Sequence, residues 1–331
     1  MDDHRAERVH RDRRLVIMAL GLVLLLAGIG CAFLGPVELY VFYLFSEGGR
    51  FYFEGFRFGS FMFGNIALQV AGYYLAAALL VPLGYGHLRL RRWARSLAVA
   101  LLWTWLVLGV PLLVVVFFMT VSVKPFSTAG GVVFIVLLAA SYLVVPWLGI
   151  RFYQGRNARA TFDAHDAGGT GPEARPLPIL VICLLDLFFL VALHVPLLFG
   201  GLFPAFGTLL GGLEGIYFID GALLLLGLLL WGTWMQRTWA WWGSAAYYAL
   251  LAATWIVTFA QTPYLELLAW LRLAPTEMDA LSGIPLQGYE PGILAGLPML
   301  ACLGVIVASR RHFGRRAEQR ITGWPSAGPV R

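Results

Sequence analysis

RLRRWARSLAVALLWTWLVLGVPLLVVVFFMTV, residues 89–121, decides the fold. Four arginines crowd its first seven positions, and the next 26 residues carry no charge. As a helix those 26 residues reach about 39 Å at 1.5 Å per residue, more than a bilayer's hydrocarbon core of about 30 Å. Seven further stretches read the same way. The spans are expected at about 15–35, 61–83, 96–121, 130–150, 177–199, 212–233, 242–262 and 291–309. Helices are the natural form, because each satisfies its own backbone hydrogen bonds in lipid. A lipid-facing barrel needs short alternating strands, and LLLLGLLL at 223–230 does not alternate. The fold class is therefore all-α, a polytopic transmembrane bundle of about eight spans.

Composition agrees. Of the 331 residues, 60% are hydrophobic and only 13% charged, with a mean hydropathy of +0.76. Soluble domains carry about 25% charged residues, and a soluble fold of this size has no place to hide so much apolar surface.

The arginines set the expected orientation. Of 24 lysines and arginines, twenty fall before the first span, in every second gap, or after the last span; Arg50, Arg57, Lys124 and Arg272 alone fall in the other gaps. Lys and Arg are enriched on the cytoplasmic side, so both termini are expected there. The basic N-terminal tail followed by an apolar run has the outline of a signal peptide. The run is too long for one and no small-x-small site follows, so it reads as the first anchor. The net charge of +6 is placed to meet anionic headgroups, and no nucleic-acid partner is expected. One lysine beside 23 arginines points to a GC-rich bacterial genome and hence to a bacterial inner membrane.

The chain divides into a basic tail (1–14), a first four-span half (15–150), a cytoplasmic linker (151–176), a second four-span half (177–309) and a basic C-terminal tail (310–331). The linker holds Asp163, His165, Asp166 and a Gly-Gly-Thr-Gly-Pro stretch, a composition that reads as flexible. Gly86, Arg91, Trp93 and Ala94 recur as Gly232, Arg237, Trp239 and Ala240 at an offset of 146. A parallel 4+4 repeat would produce this. So would the general preference of Arg and Trp for the cytoplasmic interface. Residues 40–63, dense in Phe and Tyr, and residues 264–290, opening on YLELLAWLRL, are expected at the outer interface.

Polar residues inside spans cost about 2.5–3.5 kcal/mol for Asp at a helix centre, so function is sought there first. The candidates are Asp186 and His194 in the fifth span, Glu214 and Asp220 in the sixth, and Asn65 and Gln69 in the second. Asp186 lies about 13 Å from the inner end. His194 and Asp220 fall in the outer half on antiparallel neighbours, with Glu214 above them and Pro196 interrupting the fifth span nearby. One reading makes Asp186, His194 and Asp220 a proton- or cation-responsive site in an outer polar pocket. The other makes all six structural groups that hold helices together. No cofactor or metal site is expected: Cys31, Cys183 and Cys302 lack CxxC spacing, and His194 is the one histidine inside the expected spans.

Three function classes follow. A non-catalytic membrane component fits the aromatic outer segment and basic tail, its partners being lipid, another membrane protein or its own copy. A carrier of ions or small molecules fits the span count and the polar candidates. An enzyme fits least, since neither His-Glu-x-x-His nor Gly-x-Ser-x-Gly occurs.

Overall fold

A computed structural model describes residues 12–53, 56, 60–123, 127–166, 172, 175–271, 273, 275–284 and 289–314. Eight helical segments among them are long and apolar enough to cross a membrane. They are α1 (Arg14–Phe45), α2 (Phe61–Leu88), α3 (Arg92–Val123), the continuous run of α4 (Thr128–Ala139), a π turn (Ala140–Val144) and α5 (Val145–Gln154), then α7 (Leu177–Ala192) with its short continuation α8 (Val195–Leu198), α9 (Gly212–Trp234), α10 (Thr238–Gln261) and α13 (Glu290–Ala308). Side chains start two of them: the Ser60 hydroxyl accepts from the Phe63 N–H at 3.1 Å, and that of Ser127 accepts from the Gly130 N–H at 3.2 Å. Outward faces are apolar, with Leu224 77% and Val133 58% exposed, as lipid-facing helices require.

α1 and α2 pair along most of their length because α1 presents glycine every seventh residue. Gly21, Gly28 and Gly35 are its buried glycines. A Cβ on them would meet His87, Val81 and Tyr74 of α2 at 2.7–2.8 Å, and one on Gly84 would lie 2.5 Å from the Leu25 nitrogen. In lipid, where apolar burial gives little, such backbone approach is what holds helices together. α1 also runs about ten residues past its expected end, so Tyr40–Phe45, expected in an interfacial segment, is helical. Residues 54, 55 and 57–59 of that segment lie outside the described residues.

α3 sits between the halves, touching α2, α5, α7 and α13. One core cluster lies on the second half, where Leu185, Phe189, Tyr248, Cys302 and Ile306 meet Ala100 of α3. The other closes the end of the first half at which α1 begins, with Ile17, Leu83, Ala94, Tyr153 and Phe162.

Phe162 belongs to a helix the flexible-linker expectation missed, α6 (Arg156–His165). It folds back under the first half. The Arg13 N–H donates to the Thr161 hydroxyl at 3.1 Å, and Asp163 pairs with Arg92 at 2.9 Å. Asp166 takes the Arg91 guanidinium on one oxygen at 3.2 Å and the Arg92 backbone N–H on the other at 3.0 Å. That carboxylate therefore caps α3, where the helix dipole favours negative charge. Asp166→Ala is expected to cost about 0.5–2 kcal/mol, the range for a lost cap. Undocking α6 should also speed trypsin cleavage after Arg159, which is exposed but held in the helix; an unchanged cleavage rate in detergent would contradict the docked helix. Most of the Gly-Gly-Thr-Gly-Pro stretch lies outside the described residues.

The two turns at the 146-residue offset have one conformation. Leu90 and Gln236 take left-handed φ of 51° and 56°, and the Arg91 and Arg237 N–H groups reach back to the Gly86 and Gly232 carbonyls at 2.8 and 3.0 Å. In each, the glycine receives the following Trp ring: a Cβ would sit 2.8 Å from Trp93 or 2.5 Å from Trp239. The first spans of the two halves differ, since α1 is unbroken while α7 breaks at residues 193–194.

At the opposite end of the bundle, the connection between α8 and α9 is a hairpin of β1 (Phe203–Ala205) and β2 (Thr208–Leu210). Its two turn residues, Phe206 and Gly207, have φ of 42° and 100°, the left-handed pair that two-residue hairpins favour. Thr254 and Thr258 of α10 accept their N–H groups at 2.8 and 2.9 Å. Two short helices, α11 (Tyr264–Trp270) and α12 (Pro275–Ser282), follow at this end, and Trp270 packs at Gly211.

Candidate functional site

Asp186 is the one candidate wholly inside the protein. It is 0% exposed on α7, and one carboxyl oxygen accepts the Tyr248 hydroxyl of α10 at 2.9 Å. Its second oxygen has no hydrogen-bond partner among the described residues. Tyr248 is itself fully buried, with Phe189 edge-on at 5.4 Å between ring centroids. α13 closes the far side through Cys302 and Ile306, and its Ile306 carbonyl accepts the Trp241 indole N–H at 2.7 Å. A carboxyl group here has one hydroxyl in place of water, and an unpaired buried charge is costly. The arrangement fastens α7 to α10.

The other candidates lie elsewhere. His194 sits exposed at the helix break that Pro196 causes, with its Nδ1 bonded to the Leu190 carbonyl at 2.7 Å. Glu214 and Asp220 are exposed on α9, Gln69 is exposed on α2 and Asn65 is half-buried. The structure brings Asp186 to Tyr248. Among the described residues, no hydrogen bond or ion pair joins any two of Asp186, His194, Glu214, Asp220, Asn65 and Gln69.

A second buried polar group lies at the end of the bundle where α6 docks. α2 runs one turn further than expected and carries His87 with it, 0% exposed. A carbonyl only accepts, so His87 Nδ1 donates to Leu83 O at 2.7 Å, and Nε2 is left to accept the Tyr153 hydroxyl at 2.8 Å. Phe162 stands edge-on to the imidazole at 5.8 Å. His87 escaped the sequence reading because the hydropathy of its segment ends before the arginine cluster. Tyr153 and Tyr248 escaped because their partners are 66 and 62 residues away.

Among the described residues, cavities open between helices, one beside the hairpin and another beside α3. The larger, about 720 Å³, lies between α9, α10 and the hairpin, lined by Phe206, Tyr217, Phe218, Leu225 and Leu250 among others. The smaller, about 290 Å³, lies between α2, α3 and α7, with Leu75, Leu79, Trp105, Leu184 and Phe188 in its wall. Their linings are hydrocarbon and aromatic apart from a few hydroxyl groups such as Thr104 and Thr254, and neither is lined by Asp186, His194 or Asp220. Among the described residues, no three His, Cys, Asp or Glu converge as metal ligands would.

Compared with known proteins, the chain matches no family model, no curated protein and no solved structure.

Proposed function

We propose that this chain is a non-catalytic component of a bacterial cytoplasmic membrane, with both termini in the cytoplasm, acting through the surfaces it presents inside the bilayer. The dispersal of its intramembrane polar groups carries this reading. Asp186 is sealed by Tyr248 in an apolar core, and among the described residues none of the other candidates is bonded to it or to another, Gln69, His194, Glu214 and Asp220 being exposed and Asn65 half-buried. A carrier of polar solutes needs such groups gathered around a wet cavity, and the cavity beside the hairpin and the one between α2, α3 and α7 are apolar. The charge asymmetry supports the orientation. Arginines lie over tryptophans at the end of the bundle assigned to the cytoplasm, Arg151 over Trp147 and Arg175 over Trp234 at 4.8 Å each. The repeated turn supports a duplicated 4+4 architecture.

One observation favours a second reading. The 720 Å³ cavity faces sideways between α9 and α10, where an uncharged or lipid-like molecule could enter from the bilayer. Thermal unfolding in nanodiscs separates the two. A ligand held by the native state alone raises stability by about 2.7 kcal/mol at one hundred times its Kd. On the component reading a panel of ions, sugars, amino acids and apolar small molecules leaves the unfolding temperature unchanged. A saturable increase with any of them would shift the assignment to transport.

A further inference from the structure

Three polar side chains stay exposed on helices that touch one another: Gln69 on α2, His194 at the α7–α8 break and Asp220 on α9. They share one depth. Two close approaches fix a common level in the outer half: a Cβ on Gly64 would run into the Phe199 ring, and one on Gly215 into the Gly201 carbonyl. Gln69 lies five residues inward of Gly64, Asp220 five inward of Gly215, and His194 five before Phe199. At 1.5 Å per helical residue each is about 7–8 Å below that level. Among the described residues, Gln69 and Asp220 find no hydrogen-bond partner, and His194 uses only Nδ1, on its own helix. Leu224, one turn from Asp220, is among the most exposed residues of the chain, so this surface meets hydrocarbon in an isolated molecule. A carboxylate, an imidazole and a primary amide aimed into lipid are costly, and helix association is how membrane proteins cover such groups.

We propose that the α2–α8–α9 face is a two-fold self-association surface, closed by reciprocal contacts between His194 of one copy and Asp220 of the other. Charge complementarity selects a second copy as the occupant. With Nδ1 donating to the Leu190 carbonyl, the His194 Nε2 and the Asp220 carboxyl share one proton between them, one group donating and the other accepting, and the Gln69 amide does both. A two-fold axis along the membrane normal preserves depth, so residue i of one copy meets residue j of the other only when the two are level. His194 and Asp220 are level, and the symmetry makes the contact twice. Gly72 on α2 and Gly227 on α9, further inward along the same helices, each have open space where a Cβ would stand. They allow the close backbone approach that such an interface uses. The proposal deepens the component reading, and rests on it, by naming the partner.

The test uses two differently tagged full-length chains expressed together, with Cys31, Cys183 and Cys302 replaced by Ala. One carries His194→Cys and the other Asp220→Cys, which leaves one native His194–Asp220 contact in each mixed dimer. Oxidising the membranes should give a disulfide-linked product bearing both tags, at least tenfold above a control pairing His194→Cys with Val133→Cys. No such product, or one equal to the control, overturns the proposal. Placing both cysteines on one chain checks the internal alternative: an intramolecular disulfide with no dual-tagged product likewise overturns it. Because cysteine variants can fail to fold, wild-type chain is also weighed by native mass spectrometry from nanodiscs. A dimer is expected, and Asp220→Leu should shift it at least tenfold toward monomer. A wild-type monomer bound to a different membrane protein overturns self-association and leaves the component reading standing. A dimer whose unfolding temperature responds saturably to a solute does the reverse.

Discussion

Gly28→Leu should detach α1 from α2 and lower stability by about 3 kcal/mol or more, the upper end of the range for overpacking. A Cβ at Gly28 would stand 2.8 Å from Val81 Cγ2 and 2.9 Å from its backbone nitrogen. A side chain can rotate away, but the backbone of α2 cannot, so the helices must separate and the neighbouring contacts at Gly21 and Gly35 loosen with them. Gly30→Leu is the matched control. It lies two residues on in the same helix, with nothing within 4 Å of where its Cβ would stand, and leucine is a better helix former than glycine by somewhat under ~1 kcal/mol. Titration with a denaturing detergent, followed by trypsin cleavage near the N-terminus, should show Gly28→Leu unfolding early and Gly30→Leu unfolding at or above the wild-type midpoint. Equal behaviour would mean that α1 is not held by glycine contacts.

Tyr248→Phe should destabilise more than the loss of one hydroxyl suggests. Among the described residues, the phenol is the only hydrogen-bond partner of a fully buried carboxyl group. Its removal leaves both Asp186 oxygens bare, at about 1–3 kcal/mol for an unsatisfied buried polar group. Asp186→Leu replaces the carboxyl by an apolar group of similar length, and the double variant Asp186→Leu/Tyr248→Phe removes both partners together, which can be nearly neutral. A double-mutant cycle on reversible unfolding should therefore return a coupling of about 1 kcal/mol or more, with the double variant more stable than Tyr248→Phe alone. Simple additivity would show that the two side chains do not act as a pair.

These two sites differ in how far the sequence exposed them. The eight spans were legible because hydropathy and charge act over twenty residues at a time, and the structure places all eight where 89–121 and its counterparts predict. Glycine at 21, 28 and 35 was equally visible in the chain, but nothing there says which helix its small face meets. Asp186 stood out as an ion in an apolar run; Tyr248 did not, because tyrosine is at home in a membrane helix and its partner lies on another span. The β-hairpin at 203–210 was hidden for a different reason. Its strands are three residues each, too short for alternation to register, and two threonines of α10 hold its turn. α6 looked like a linker because its sequence is polar; it is docked as a helix because Phe162 buries against His87 and because Asp166 at its end caps α3.

The repeated turn teaches a related point. Arg and Trp at positions 91, 93, 237 and 239 are what any cytoplasmic interface favours, so composition alone could not separate ancestry from preference. The shared left-handed residue and the shared glycine–tryptophan contact are not interface preferences. They are one solution to one local packing problem, used twice.

Everything inferred about inner and outer faces depends on the side to which each connection points. Cysteine accessibility tests this most directly. In a chain whose three native cysteines are replaced, Thr208→Cys on the hairpin and Ala164→Cys on α6 are both exposed positions. With a membrane-impermeant maleimide, position 208 should label in intact cells and position 164 only after the membrane is opened. Labelling of both from the same side, in either direction, would contradict the eight-span topology and the outer placement of His194 and Asp220 with it.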